Sequence, residues 1–289
     1  MKPAPFEYAA PPSLDEAVAE LARHGDDGKV LAGVQSLVPM LNFRLARPRV
    51  VVDINRVTGL DAVTESEGVL RVGALVRQRR LERWAAGRSA LLATAMAHIG
   101  HSAIRNRGTV TGSVVHADPA AELPALLLAL DGAVVARSPR GERAIAAAEL
   151  FQGPLTTTLG PDEIATETRF TLPAATDGWG FHEMARRHGD FALIGAIAVV
   201  GLRAGRIARV RTALFGAGPT PVRLAVLERG LVGEAGTVAT LRAASASATR
   251  ALDTAADIHA TAEYRRAVAA TLMTRALVDA VGRAKDHAA

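Results

Sequence analysis

His98-Ile-Gly-His101-Ser-Ala-Ile-Arg105-Asn-Arg107-Gly108-Thr109-Val110-Thr111-Gly112-Ser113, running on through His116-Ala-Asp118-Pro119-Ala-Ala-Glu122-Leu-Pro124, is the stretch that decides how this chain folds. Its small residues read as a tight turn feeding a helix. A counterpart lies about 75 residues upstream, where Val30-Leu31-Ala32-Gly33-Val34-Gln35-Ser36-Leu37 reads as a short apolar strand, a small-residue turn with a hydroxyl, and a helical pattern. Main-chain N–H groups at such strand-to-helix turns, aided by the positive end of the helix, make anion sites. Two of them can grip one pyrophosphate from both sides, which implies a dinucleotide cofactor. Neither turn has the G-x-G-x-x-G or the G-x-x-x-x-G-K-[ST] spacing. Taken singly, Gly33 or Gly112 reads equally well as a turn residue with positive φ.

Around the upstream turn, Ser13-Leu-Asp-Glu16 is a capping box. Leu14, Ala17, Val18, Leu21 and Ala22 keep one helical face until Gly25 stops it. A strand at 29–32, the turn at 33–36, a helix near 37–45 and a strand at 50–54 complete a first α/β lobe. The second segment, 57 to about 173, carries a strand near 69–73, helices near 77–86 and 89–99, and the glycine-bearing turn. There Asp118-Pro119 predicts an N-cap followed by proline at the first helical position, opening a helix over 120–130, with a strand at 133–136 beyond Gly132. Pro173-Ala-Ala-Thr-Asp-Gly-Trp-Gly180 reads as a domain boundary. Apolar strand-like runs follow at 191–202 and 210–215, then three helical segments after Pro221, the last over 262–285 and capped by Thr261.

The 289 residues suit two domains or one large one, and a composition 49% hydrophobic and 22% charged is that of a globular chain. The longest apolar run, Ala192 to Leu202, ends at Arg203 and falls short of the roughly 20 residues needed to cross a bilayer, so no membrane span is expected. The N-terminal region lacks an apolar signal segment, which points to the cytoplasm. The complete lack of cysteine excludes disulfides, a catalytic cysteine and thiolate-held zinc or iron–sulfur clusters on this chain, so a redox role needs an organic cofactor. A net charge of +5 raises nucleic acid as a partner. The scattered arginines and the 4% of aromatics favour a solvated basic face instead.

His98 and His101 have helical i,i+3 spacing and His116 lies beyond the turn, but no carboxylate accompanies them at ligand spacing, so no metal site is assigned. No acid/base pair stands out, and no catalytic residue is named. Arg105 and Arg107 read as surface or subunit contacts, and Trp84 and Trp179 as core and loop anchors.

Three blocks carry a family resemblance: Ala32-Gly-Val-Gln-Ser-Leu-Val-Pro39 with Arg44-Leu-Ala-Arg-Pro48 and Val52-Asp-Ile54; residues 99–124; and Asp257-Ile-His-Ala-Thr-Ala-Glu-Tyr-Arg-Arg266. They closely resemble, in order and over essentially the whole chain, the FAD-binding medium subunit of molybdenum hydroxylases of the carbon monoxide dehydrogenase and xanthine dehydrogenase type. The resemblance implies an α+β fold: a vanillyl-alcohol-oxidase-type FAD-binding domain of two α/β subdomains (1–56 and 57–175), then a C-terminal domain (176–289) of antiparallel sheet and helical bundle. It also implies that FAD is held by Ala32, Gly33, Val34, Gln35, Ser36 and Leu37, and by Thr109, Val110, Thr111, Gly112 and Ser113. The acidic ribose contact falls on Glu122, with Asp118 close by, and the aromatic that covers the flavin ring falls on Phe191.

Four positions depart from the family pattern. Val34 and Thr111 each replace a glycine of a pair, Phe191 stands where tyrosine is frequent, and His182 stands where some relatives carry a lysine near the flavin. A β-branched residue at positive φ is costly, and its bulk would crowd a phosphate. The function implied is an electron relay from an iron–sulfur small subunit to an external acceptor such as NAD or a quinone, with substrate hydroxylation on a molybdopterin large subunit. Two alternatives stay open at this point: a stand-alone flavoenzyme, and a descendant that has lost FAD and binds another ligand, or none, in the same cleft.

Overall fold

Ser13 caps the first helix in the computed structural model, which describes residues 1–287: Ser13 Oγ accepts from Glu16 N and donates to the Glu16 carboxylate at 2.7 Å. After β1 (Glu7–Ala9), α1 (Leu14–His24) therefore starts where the sequence says, and it stops at Gly25, whose φ of 52° no β-branched residue takes cheaply. β2 (Gly28–Leu31), α2 (Leu37–Asn42) and β3 (Val50–Asp53) follow. The three strands pair in parallel in the order β1-β3-β2. Ala17, Val18 and Leu21 of α1 pack on Val50, Val52 and Ile54 to form this lobe's core.

The second lobe runs β4 (Val63–Ser66), β5 (Val69–Gly73), α3 (Gln78–Ala85), α4 (Ala90–His98), α5 (Ser102–Arg107), α6 (Val110–His116) and α7 (Glu122–Ala129). It continues with β6 (Ala133–Ser138), β7 (Gly141–Ala146), α8 (Ala147–Leu150), the short β8 (Phe151–Gly153) and β9 (Thr156–Thr157), and β10 (Ile164–Thr171). Five strands make one antiparallel sheet in the order β4-β5-β10-β6-β7. Every residue of α7 is buried, which explains why its sequence is apolar all round rather than on one face. That helix starts at Glu122, later than the sequence predicts. Asp118 instead closes a turn, its Oδ1 accepting from Ala120 N at 2.9 Å and its carbonyl from Ala121 N at 3.0 Å, so it does not cap the helix and Ala121 takes the N-cap position.

The third unit is an antiparallel sheet, β11 (Gly178–Ala185), β12 (Ala192–Arg203) and β13 (Arg206–Phe215), followed by α9 (Ala225–Leu231), α10 (Val238–Thr249) and α11 (Ala262–Asp286). Thr261 caps α11 as its sequence predicts, accepting from Tyr264 N at 3.1 Å. Side chains alternate across β12. Ile197 and Val199 meet the core that holds α7, while Ala196, Ala198 and Val200 meet α11 through Leu272, Met273 and Ala276. A strand covered on both faces needs an uninterrupted apolar run, which is what 192–202 supplies. Among the described residues no helix is long and apolar enough to cross a membrane.

Candidate functional site

The two turns come together. Gly33 is buried against the second turn: a Cβ on it would lie 2.6 Å from Thr109 N, 2.9 Å from Gly108 Cα and 3.0 Å from Arg107 O. Only a residue without a side chain lets the two backbones approach this closely. Neither Gly33 nor Gly112 has positive φ; the left-handed backbone of the first turn belongs to Val34, at φ 64°. A β-branched residue in that region costs about 1–3 kcal/mol, so this turn holds a conformation that its own sequence disfavours. Gln35 Nε2 reaches back to Gly33 O at 3.4 Å, and Ser36 and Leu37 open α2.

In the second turn Thr109 is the N-cap of α6, its Oγ1 accepting from Gly112 N at 3.2 Å, and Ser113 N bonds to Thr109 O at 3.1 Å. Val110 is buried, and its N–H donates to Val76 O at 3.0 Å. Thr111 corrects one expectation. Its side chain does not crowd the cradle but is buried on the core side, with Oγ1 2.9 Å from Thr168 Oγ1 of β10, because its place in α6 turns it toward the sheet. With six residues in α2 and seven in α6, neither helix has much dipole to offer. Of the second turn's main-chain N–H groups, those of Val110, Gly112 and Ser113 already donate within the chain, to Val76 O, Thr109 Oγ1 and Thr109 O.

A cleft of about 1080 Å³, lined by no residue of either turn, opens where the segment after α6 meets the C-terminal unit. Asp118 and Pro119 form one wall, the tip of the β11–β12 hairpin with Arg186, Arg187 and Phe191 another, and the approach to α11 a third. Gly216 N donates to Pro119 O at 2.7 Å and ties the walls together. Phe191 is 74% exposed on this surface, an apolar ring that a planar ligand would cover. On the floor Arg265 is buried, donating from Nη1 to Leu193 O at 2.6 Å and to Gly216 O at 3.1 Å, and from Nη2 to Asp257 at 2.6 Å. Its Nε is buried without a partner. Main-chain N–H bonds from His259 and Ala260, reinforced by Arg265, hold the Asp257 carboxyl at about 2.

His182 does not join the cleft. Strand alternation puts it with Gly178 and Gly180 on the α11 face, where its Nε2 meets Asp279 at 2.9 Å. The neighbouring Glu183 faces the other way, and its Oε2 is buried without a partner. Burial, and then the charge of Glu122, raise the Glu183 carboxyl to about 8; burial raises that of Glu122, in the first turn of α7, to about 7. Arg105 is also corrected. It is buried rather than on the surface, bridging Glu82 at 2.9 Å and donating to Ile99 O and Gly100 O, because the end of α4 leaves those carbonyls without helical partners. Arg107 is exposed. His98 packs on the rings of Phe181 and His188, and among the described residues no group of three metal-type side chains converges. Trp84 and Trp179 are partly buried against the core.

The raised carboxyls give the chain a pH signature. Below the unfolded value near 4.5 each is protonated in both states, whereas between there and about 7–8 the folded state keeps a proton that the unfolded state releases. Stability without FAD therefore falls as pH rises through this window, by about 1.4 kcal/mol per unit for each retained proton, and levels off above it. In urea unfolding from pH 5 to 8, Glu183→Gln should show a shallower decline than the parent. Parallel declines would show that Glu183 ionises normally.

The comparisons bear on this geometry. Residues 4–174 match the family model described as the FAD binding domain in molybdopterin dehydrogenase, and residues 179–280 the one described as the CO dehydrogenase flavoprotein C-terminal domain. The chain is 40% identical over 288 residues to the 6-hydroxypseudooxynicotine dehydrogenase complex subunit alpha of Paenarthrobacter nicotinovorans, spanning 99% of this chain and 97% of that protein. It is 41% identical over 286 residues to the caffeine dehydrogenase subunit beta of a Pseudomonas species, spanning 98% and 97%. A chain of the solved carbon monoxide dehydrogenase of Hydrogenophaga pseudoflava superposes with a TM-score of 0.94 at 36% identity, with 98% of this chain and 99% of that one covered.

Proposed function

This chain belongs to the FAD-binding medium subunits of the molybdenum hydroxylase family, and from that premise we propose that it carries electrons from an iron–sulfur subunit to an external acceptor. FAD is its cofactor, and it is one subunit of a multi-subunit oxidoreductase. The chain contains no cysteine, so a thiolate-held cluster must arrive on a partner. In this proposal the partners are an iron–sulfur small subunit and a molybdopterin large subunit, the acceptor is NAD or a quinone, and the complex lies in the cytoplasm.

The residues present fit FAD. The observation that carries the proposal is the backbone contact of the two turns at Gly33; the cleft walled by the exposed ring of Phe191 supports it separately. A diphosphate needs converging main-chain donors, and a flat ring system needs an apolar wall. We assign the main chain of 32–37 and 109–113 to the diphosphate, Asp118 and Glu122 to the sugar portion, and Phe191 to the ring face, within an FAD-binding domain over 1–175 in parts 1–56 and 57–175 and a C-terminal domain over 176–289. His182, held by Asp279, has no part in it. When bound, FAD supplies one- and two-electron redox chemistry; the chain supplies position and electrostatics. A stand-alone flavoenzyme or a fold that has lost FAD is not favoured, because the similarity to subunits of dehydrogenase complexes runs over nearly the whole chain.

Affinity purification from the native host through a tag on this chain tests the proposal. The expected result is a complex containing molybdenum and iron–sulfur clusters that passes electrons from substrate to an acceptor only when FAD is present. A chain that purifies alone and turns over an organic substrate would overturn it.

A further inference from the structure

The first turn follows β2 of the parallel sheet and the second joins α5 to α6, and no strand pairing joins the two. What fixes their spacing is a set of hydrogen bonds centred on one side chain. Arg77 Nη1 donates to Arg107 O, at the entrance of the second turn, at 2.6 Å, and to Ala32 O, in the first turn, at 3.4 Å. Its Nη2 donates to Asn55 Oδ1 at 2.7 Å, and Asn55 Nδ2 in turn donates to Ala32 O at 2.9 Å and to Asp53 Oδ1 at 2.6 Å. Tyr8 Oη completes the chain on Asp53 Oδ2 at 2.6 Å. The backbone of Arg77 is meanwhile fastened to the second turn on either side, by Gln78 N on Gly108 O at 2.8 Å and Val110 N on Val76 O at 3.0 Å.

We propose that Arg77, assisted by Asn55, is the positioning residue that sets the gap between the two turns and so the grip on a diphosphate; this rests on the reading that the diphosphate of FAD lies between them. A rigid, planar fork of donors holds two carbonyls at a fixed angle, which a lysine cannot reproduce. Anchoring Ala32 O does more than hold distance. In a trans peptide the carbonyl and the following N–H point in opposite directions, so fixing Ala32 O also fixes the direction of Gly33 N–H. Arg77 therefore governs both the separation of the turns and the aim of one of their donors without touching the ligand.

The test is a titration of the flavin-free 289-residue chain with FAD and with riboflavin, which lacks the phosphates, alongside the urea midpoint without ligand. Arg77→Met should weaken FAD by about tenfold or more while riboflavin affinity stays within about twofold of the parent, and Arg77→Lys should fall between. If Arg77→Met does not fold, Asn55→Ala and Arg77→Lys carry the same comparison. Equal losses for FAD and riboflavin, or no loss for FAD, would overturn the role of Arg77. A parent chain that binds FAD no better than riboflavin would overturn the diphosphate cradle itself, a separate failure.

Discussion

Gly33→Ala should lower FAD affinity by about 100-fold or more, the penalty expected when groups that must converge are displaced by about 1 Å. The added methyl would sit 2.6 Å from Thr109 N and 2.9 Å from Gly108 Cα, and both are main-chain atoms with no rotamer to yield. Relief has to come from parting the two turns, which are the elements proposed to close on one diphosphate. The loss should appear as a raised FAD dissociation constant with a much smaller change in the urea midpoint of the flavin-free chain, since Gly33 lies at a lobe boundary rather than in a core. Affinity within threefold of the parent, by about 0.7 kcal/mol, would mean that the turns do not act together.

Gly180→Ala should have the largest effect on folding. The helix α11 lies with its backbone directly on β11. A Cβ at Gly180 would fall 2.6 Å from Ala276 Cα and closer still to its carbonyl, and one at Gly178 would fall 2.5 Å from Ala284 N. Room for a methyl requires lifting the helix off the sheet. That uncovers the seam where Leu272, Met273, Ala276 and Ala280 meet Ala196, Ala198 and Val200. Overpacking a well-filled core costs about 1–3 kcal/mol, and more where backbone must move. We expect about 3 kcal/mol or more from urea denaturation, with Gly180→Val failing to fold its C-terminal unit. A loss below about 1 kcal/mol would contradict the contact.

These two glycines show how the sequence was and was not readable. Gly33 stands out in the sequence by its turn, and Val34 carries the positive φ there, but nothing local shows that Gly33 serves the approach of a helix-to-helix turn 76 residues away. Local pattern cannot report a contact between distant segments. The caps at Ser13 and Thr261 were legible because each depends on residues three apart. The central strand β10 was not, since its inward positions include Thr166 and Thr168, buried and hydrogen-bonded to Val135 O and to Thr111, where a hydrophobic alternation would have announced a strand. Arg77 was lost in the run Arg77-Gln-Arg-Arg80, which looks like any solvated helix start, and Arg105 gave no sign that it satisfies the carbonyls at the end of α4. The family resemblance sets His182 near the flavin, whereas a strand's period of two turns it to the α11 face.

We propose that this chain binds one FAD, with its diphosphate at the two turns and its ring beside Phe191. Quantifying the flavin released on denaturing the purified chain tests it most directly, after incubation with FAD and removal of excess. One flavin per chain is expected, recovered as FAD and lost in Gly33→Ala; a colourless chain that retains no FAD would overturn that placement.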